Sequence, residues 1–197
     1  MAGDTNLTDV LDYLSRLRGA PIAAGQLLTL RSVERAAFAA WIRKTGLQTN
    51  GDVLASSAPF TVEQILSDGE RSHERAPDIG LPKTSSSATQ PSTRVGVDIE
   101  LVDALPHAGD YRDHPFYEDN FTAKEIAYCL RQADVRASFC GTWAAKEAIL
   151  KSGIIQLTGT NLRAIEISRD PSGRPVHPEC SISISHTPST AVAVCLA

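Results

Sequence analysis

The chain is poor in the features that mark several functional classes. Its four cysteines, Cys129, Cys140, Cys180 and Cys195, include no C-x-x-C pair of the kind that binds zinc or cycles redox state. Each stands among apolar or β-forming neighbours, so they are read as buried thiols and not as disulfides or zinc ligands. No apolar run approaches the ~20 residues needed to cross a bilayer. The opening MAGDTNLTDV has neither the basic start nor the hydrophobic segment of a signal peptide, so a cytoplasmic protein without membrane contact is expected. Basic residues are not in excess. With 19 Lys and Arg against 23 Asp and Glu, the net charge of −4 argues against nucleic acid as the main partner. No G-x-S-x-G elbow occurs, which weakens any serine-hydrolase reading of the serines near His186.

What is present is enough apolar content, 42% of 197 residues, for one domain or two small ones. Residues 69–94 are rich in Ser, Pro, Thr and charge and almost free of aliphatic side chains, which marks a flexible linker. The linker divides a helical piece, residues 1–68, from a mixed piece, residues 95–197. In the first piece, Leu7, Val10, Leu11 and Leu14 repeat at helical spacing. A second such pattern runs through Val33, Ala36, Ala37, Ala40 and Trp41 and stops at Gly46. A short third helix is expected in TVEQIL, with Thr61 and Gln64 as a capping box. In the second piece, RVGVDIELV, LRAIEIS, SISISH and AVAVCLA read as strands and DPSGRP as a turn joining strands. One helix starts at Thr122, capped with Glu125, and another carries TWAAKEAILKS, so the piece is expected to be α+β.

Three stretches carry candidate chemistry. TWAAKEAILKS, wound at ~100° per residue, is apolar on almost every side, yet Glu147 and Lys151 share a stripe flanked by Trp143 and Ala144. A solvated i,i+4 pair would be the plain reading. A carboxylate among such neighbours loses hydration, however, and needs a cation to compensate. In GVDIE, Asp98 and Glu100 alternate with Val97 and Ile99, which places both acids on one face of a strand. A solvated acidic face is the plain reading of that stretch alone. Several carboxylates brought together form a hard oxygen site suited to Mg²⁺ beside phosphates. In SISISHTPSTAVAV, Ser181, Ser183 and Ser185 share a face and His186 ends the strand, a set able to donate hydrogen bonds to phosphate or ribose.

The order GVDIE, NFTAKEIAYC, RASFCGTWAAKEAILKS, SGRP and SISHTPSTAVAV resembles the 4′-phosphopantetheinyl transferases of the holo-acyl-carrier-protein synthase type. Among these it is most similar to the C-terminal transferase domains of type I fatty acid synthases. The resemblance covers about Val95 to Ala197 and implies a small antiparallel sheet with packed helices. It implies transfer of the phosphopantetheine arm of coenzyme A to a serine of an acyl carrier protein, with release of 3′,5′-ADP. By the same resemblance Asp98 and Glu147 would hold Mg²⁺, with Glu100 a third ligand, directly or through water. Glu147 or a metal-bound water would take the serine proton, and Lys151 would contact the phosphates and assist the departing 3′,5′-ADP oxygen. Ser185 and His186, with Gly173, Arg174 and Pro175, would line the coenzyme A nucleotide site. One copy of each motif implies a homotrimer with sites between subunits. The short bacterial members carry a basic helix where this chain has the acidic ELVDALPHAGDYRDHPFYEDN, so either a local basic patch, with Lys124, Arg131 and Arg136 as candidates, receives an acidic carrier or the partner is unusual.

In the first piece, LLTLRSVERAAFAAWIRKTGL is similar to the second helix of acyl carrier proteins, and PFTVEQIL to their last. Arg31, Ser32 and Val33 fall where carriers have Asp-Ser-Leu. Ser32 is read as the N-cap of its helix in preference to a phosphopantetheine acceptor, and the piece as a degenerate carrier used for docking or substrate selection. Two rivals stand beside the transferase reading. One is a metal-dependent hydrolase of nucleotide pyrophosphates; the other is a non-catalytic module that binds coenzyme A or carrier.

Overall fold

The structure, a computed structural model, describes residues 7–56, 58–66, 93–157 and 161–197. The expected linker, residues 69–94, falls outside the described residues except at its last two positions. No helix among the described residues is long and apolar enough to cross a membrane.

The N-terminal piece forms α1 (Leu7–Arg18), α2 (Ser32–Thr45), α3 (Gly51–Ala55) and α4 (Val62–Leu66). Val10 and Leu14 of α1 close on Phe38 and Ile42 of α2 and on Val62 and Ile65 of α4, as the helical spacing predicts. The capping box at Thr61 forms, with the Gln64 side chain 2.8 Å from the Thr61 amide. The start of α2 differs from expectation. Glu34 reaches back to the Arg31 amide at 2.9 Å and to its guanidinium at 3.0 Å. That closes the helix end one residue earlier, so Ser32 is the first helical residue and not the cap.

The second piece runs β1 (Val95–Leu101), α5 (Pro115–Asn120), α6 (Ala123–Cys129), α7 (Val135–Ser152), β2 (Ser168–Arg169), β3 (Pro175–Val176), β4 (Ser181–His186) and β5 (Thr190–Leu196). It is α+β, as expected. β5 is the middle strand of an antiparallel sheet in the order β1–β5–β4, and β2 and β3 form a short hairpin around the Asp170–Arg174 turn. LRAIEIS is a strand only at its end. Ile165 and Ile167 are buried, but the Ile167 amide bonds to the Glu125 carboxylate at 2.8 Å instead of to a neighbouring strand.

α7 crosses one face of the sheet from β4 to β1, and two glycines permit it. A Cβ on Gly141 would lie 2.8 Å from the Ile184 side chain, and one on Gly96 would lie 1.8 Å from the Ala148 carbonyl oxygen. The second contact brings the end of α7 directly against the strand that carries Asp98. On the other side of α7, Phe116, Tyr117, Phe121, Phe139 and Trp143 form an aromatic core, and Val33, Ala36 and Ala37 of α2 belong to it. Arg43 of α2 also pairs with Asp119 at 2.6 Å. α2 therefore packs both into the core of its own piece and into the aromatic core of the second. The four cysteines are free thiols, three of them buried and Cys180 partly so.

Candidate active site

Strand alternation builds the first half of the site. Along β1, Gly96 and Asp98 are buried while Val97 and Ile99 are 51% and 67% exposed. The acids thus face α7, and the apolar pair faces outward. A solvated acidic face, the plain reading of GVDIE, is overturned because α7 covers the side that bears the carboxylates.

α7 supplies the second half. Glu147 and Lys151 rise from its last turns beside Asp98, and Lys151 Nζ donates to Asp98 Oδ1 at 2.5 Å. The ion pair of Lys151 is therefore with the strand and not with Glu147 one turn away. Burial and the charges of Asp98 and Glu100 push the Glu147 carboxyl up to about 7, against the opposing pull of Lys151. Glu100 is raised as well, by burial foremost, with Asp98 adding to it and a hydrogen bond from Ser32 opposing. Burial works against the Lys151 ammonium, but Asp98, Glu147 and Glu100 together hold its pKa above the usual value. Asp98 is 4% exposed. Its Oδ2 is buried with no hydrogen-bond partner among the described residues.

These features fit a hard cation. Three carboxylates face one ammonium, and a buried oxygen that lacks any donor is satisfied by a metal ion as well as by a proton donor. No three His, Cys, Asp or Glu side chains among the described residues stand close enough together to hold a metal ion, so the fit rests on the unpartnered Asp98 oxygen. The residues are gathered, with Lys151 providing the positive charge.

The second cluster lies at the other end of α7, around a cavity of about 350 Å³. Gly173, Pro175 and His186, three of the residues expected together, line it. Arg174 is directed to Asp170 at 2.8 Å, and Ser185 lies on the outer face of the sheet, paired with Val192 beside Ile99. Neither lines the cavity. Residues not anticipated from sequence do, notably Arg169, Tyr128 and Thr142. The Arg169 guanidinium lies 4.5 Å from the Tyr128 ring centroid and donates to Thr142 Oγ1 at 3.3 Å. Its place just before the Asp170 turn was the only local sign of this role. His186 and Glu100 share a cross-strand row through Ala191, so at ~4.8 Å per strand their backbones are ~10 Å apart on one face.

Of the three basic residues expected to receive a carrier, Lys124 and Arg131 are exposed. Arg136 turns inward and donates to the Val102 and Leu105 carbonyls at 2.9 and 3.1 Å. It braces the segment after β1.

A family model for the 4′-phosphopantetheinyl transferase superfamily matches residues 94–195. The chain belongs to that superfamily. Among relatives of this transferase-superfamily chain, the fatty acid synthase subunit alpha of Candida albicans is 39% identical over 131 residues, covering 58% of this chain and 7% of its own length. That of Lachancea kluyveri is 38% identical over 136 residues, 68% of this chain and again 7% of its own. The chain therefore spans under a tenth of these relatives. Similar solved structures include Helicobacter pylori holo-[acyl-carrier-protein] synthase in complex with coenzyme A, 24% identical, covering 52% of this chain and 99% of that one, with a TM-score of 0.44. The ACPS–CoA complex of Chronobacterium ammoniagenes is also 24% identical, covers 53% and 96% of the two chains, and has a TM-score of 0.42.

Proposed function

We propose that the chain transfers the 4′-phosphopantetheine arm of coenzyme A to a serine of an acyl carrier protein or carrier domain, with Mg²⁺, releasing 3′,5′-ADP in the cytoplasm. The observation that carries this reading is the buried Asp98 carboxylate, half without a partner, beside Glu147 and Lys151 in a chain of this superfamily. Asp98 and Glu147 would hold the metal, and Glu100 would complete the set. When bound, Mg²⁺ withdraws charge from the pyrophosphate and makes its phosphorus a better electrophile.

The chain's own residues do the rest. Glu147, beside Asp98 and Lys151 at the end of α7, is the carboxylate placed to accept the proton of the incoming serine hydroxyl. The Lys151 side chain is 52% exposed and so can leave Asp98 for the phosphates, where an ammonium stabilises the departing oxygen of 3′,5′-ADP. His186, Gly173 and Pro175, with Arg169 as the cavity's guanidinium, suit the phosphorylated nucleotide end of coenzyme A. The resemblance implies a homotrimer with sites between subunits. The outer face of the sheet supports this, since Val95, Val97, Ile99, Leu101 and Leu196 are each about half exposed or more. Because the fungal relatives are fatty acid synthase subunits, a fatty acid carrier is the preferred acceptor.

The test is to incubate the purified chain with coenzyme A, Mg²⁺ and an apo carrier, then follow the carrier's intact mass and the 3′,5′-ADP formed. One phosphopantetheinyl group per carrier is expected, with no transfer by a folded Glu147→Gln variant. Repeated release of 3′,5′-ADP without carrier, beyond one per chain, would identify a pyrophosphate hydrolase. Coenzyme A binding without product would identify a binding module.

A further inference from the structure

We propose that Ser32 is itself a modification site, an acceptor that the chain presents to its own carboxylate cluster. The proposal rests on the transferase reading above. Ser32 Oγ donates to Glu100 Oε1 at 2.8 Å, joining residues far apart in sequence. Glu100 lies two residues along β1 from Asp98 on the same face, and Asp98 binds Lys151, so the hydroxyl sits at the edge of the carboxylate cluster. The unpartnered Asp98 Oδ2 belongs to this same group.

Local structure does not require the hydroxyl to be there. Glu34 closes the N-terminus of α2 through the Arg31 amide, which leaves the Ser32 side chain free of any capping duty. Tertiary packing fixes its position instead. Val33, next in the chain, is fully buried in the aromatic core with Ala36 and Ala37, and Arg43 ties the far end of α2 to Asp119. Ser32 itself is only partly buried, so a ligand in the site can reach it. A hydroxyl held by packing on both sides, offered to the acids that serve phosphoryl chemistry, is placed as a nucleophile.

The step balances with coenzyme A as the only co-substrate. Ser32 Oγ forms a bond to the phosphorus that bears the pantetheine arm. The bond from that phosphorus to the bridging pyrophosphate oxygen breaks, and 3′,5′-ADP leaves with the electron pair. The hydroxyl proton passes to the Glu100 oxygen that already accepts its hydrogen bond.

The full chain is incubated with coenzyme A and Mg²⁺, its intact mass is followed, and the modified peptide is mapped. A separate apo carrier is assayed in parallel. The expected result is a gain of one phosphopantetheinyl group per chain on the peptide containing Ser32. The rate per chain should be unchanged over a tenfold range of protein concentration within which the copies stay assembled, and the gain should be absent from Ser32→Ala. Modification of the added carrier with none on the chain overturns this proposal and leaves the transferase reading standing. No gain on either overturns the transferase reading. A group mapped to another residue, or a rate per chain that rises with protein concentration within that range, overturns Ser32 as an acceptor within its own assembly.

Discussion

Lys146 and Glu147 are neighbours on α7, yet their charges are held in opposite ways. Lys146 is fully buried and donates to the Asn120 carbonyl at 2.7 Å, to Glu125 at 2.8 Å and to the Leu162 carbonyl at 3.2 Å. Glu125 is equally complete, with the Thr122 amide at 2.7 Å and the Ile167 amide at 2.8 Å on its two oxygens. Burial pushes the Lys146 pKa down while Glu125 resists the fall. On the adjacent side of the helix, Asp98, Glu100 and Glu147 face the single ammonium of Lys151, and one oxygen of Asp98 has no donor at all. A buried network with every partner supplied fixes α6, α7 and the segment before β2 in place. A cluster short of positive charge awaits something from outside the chain.

The contrast can be tested by attacking each side in turn. Lys146→Met should strike hardest, because it leaves Glu125 buried and unpaired at a cost of ~3–5 kcal/mol. The unfolding temperature should then fall by ~6–20 °C, and a Lys146→Met/Glu125→Gln pair should recover part of the loss. Gly96→Ala comes next. A methyl 1.8 Å from the Ala148 oxygen must push α7 off β1, costing ~3 kcal/mol and separating Asp98 from Glu147 enough to slow transfer ~100-fold.

Metal addition addresses only the incomplete cluster. Mg²⁺ at ~100 times its Kd should stabilise the chain by ~2.7 kcal/mol, seen as a rise in Tm that Asp98→Asn lacks and Lys146→Met retains. The smallest effect is that of pH. The folded state binds a proton on Glu147 more tightly than the unfolded state does. The stability from that proton is therefore complete below about 4.5 and is lost as pH rises to about 7. Glu147→Gln carries no such proton, so its unfolding free energy should gain on the parent's across that window, by ~2 kcal/mol after allowance for partial exposure. A gap that stays constant with pH would remove Glu147 from the strained cluster.

Much of this architecture was readable from short-range pattern, and what was not depended on distant partners. The alternation of GVDIE showed that Asp98 and Glu100 share a face, because side-chain period is a local property of strands. Which face is covered depends on α7, some fifty residues later, and the covered one proved to be the acidic one. Glu147 and Lys151 stood out by their apolar surroundings. Lys146 did not, since its partners Asn120, Glu125 and Leu162 come from three separate segments. Ser32 was misplaced by one position because the Arg31–Glu34 contact satisfies the helix end that a serine usually serves. The Arg169–Tyr128 stack was hidden for the same reason as Lys146, being a contact across the chain.

β1 bears the acids on one face and, on the other, the uncovered row Val95, Val97, Ile99 and Leu101. A strand is too thin for its two faces to move independently, so whatever holds the outer row also steadies Asp98. Specific activity should then obey mass action in the protein itself. It would hold while the outer row is covered by a second copy and decline on dilution, with recovery on reconcentration at a rate set by association.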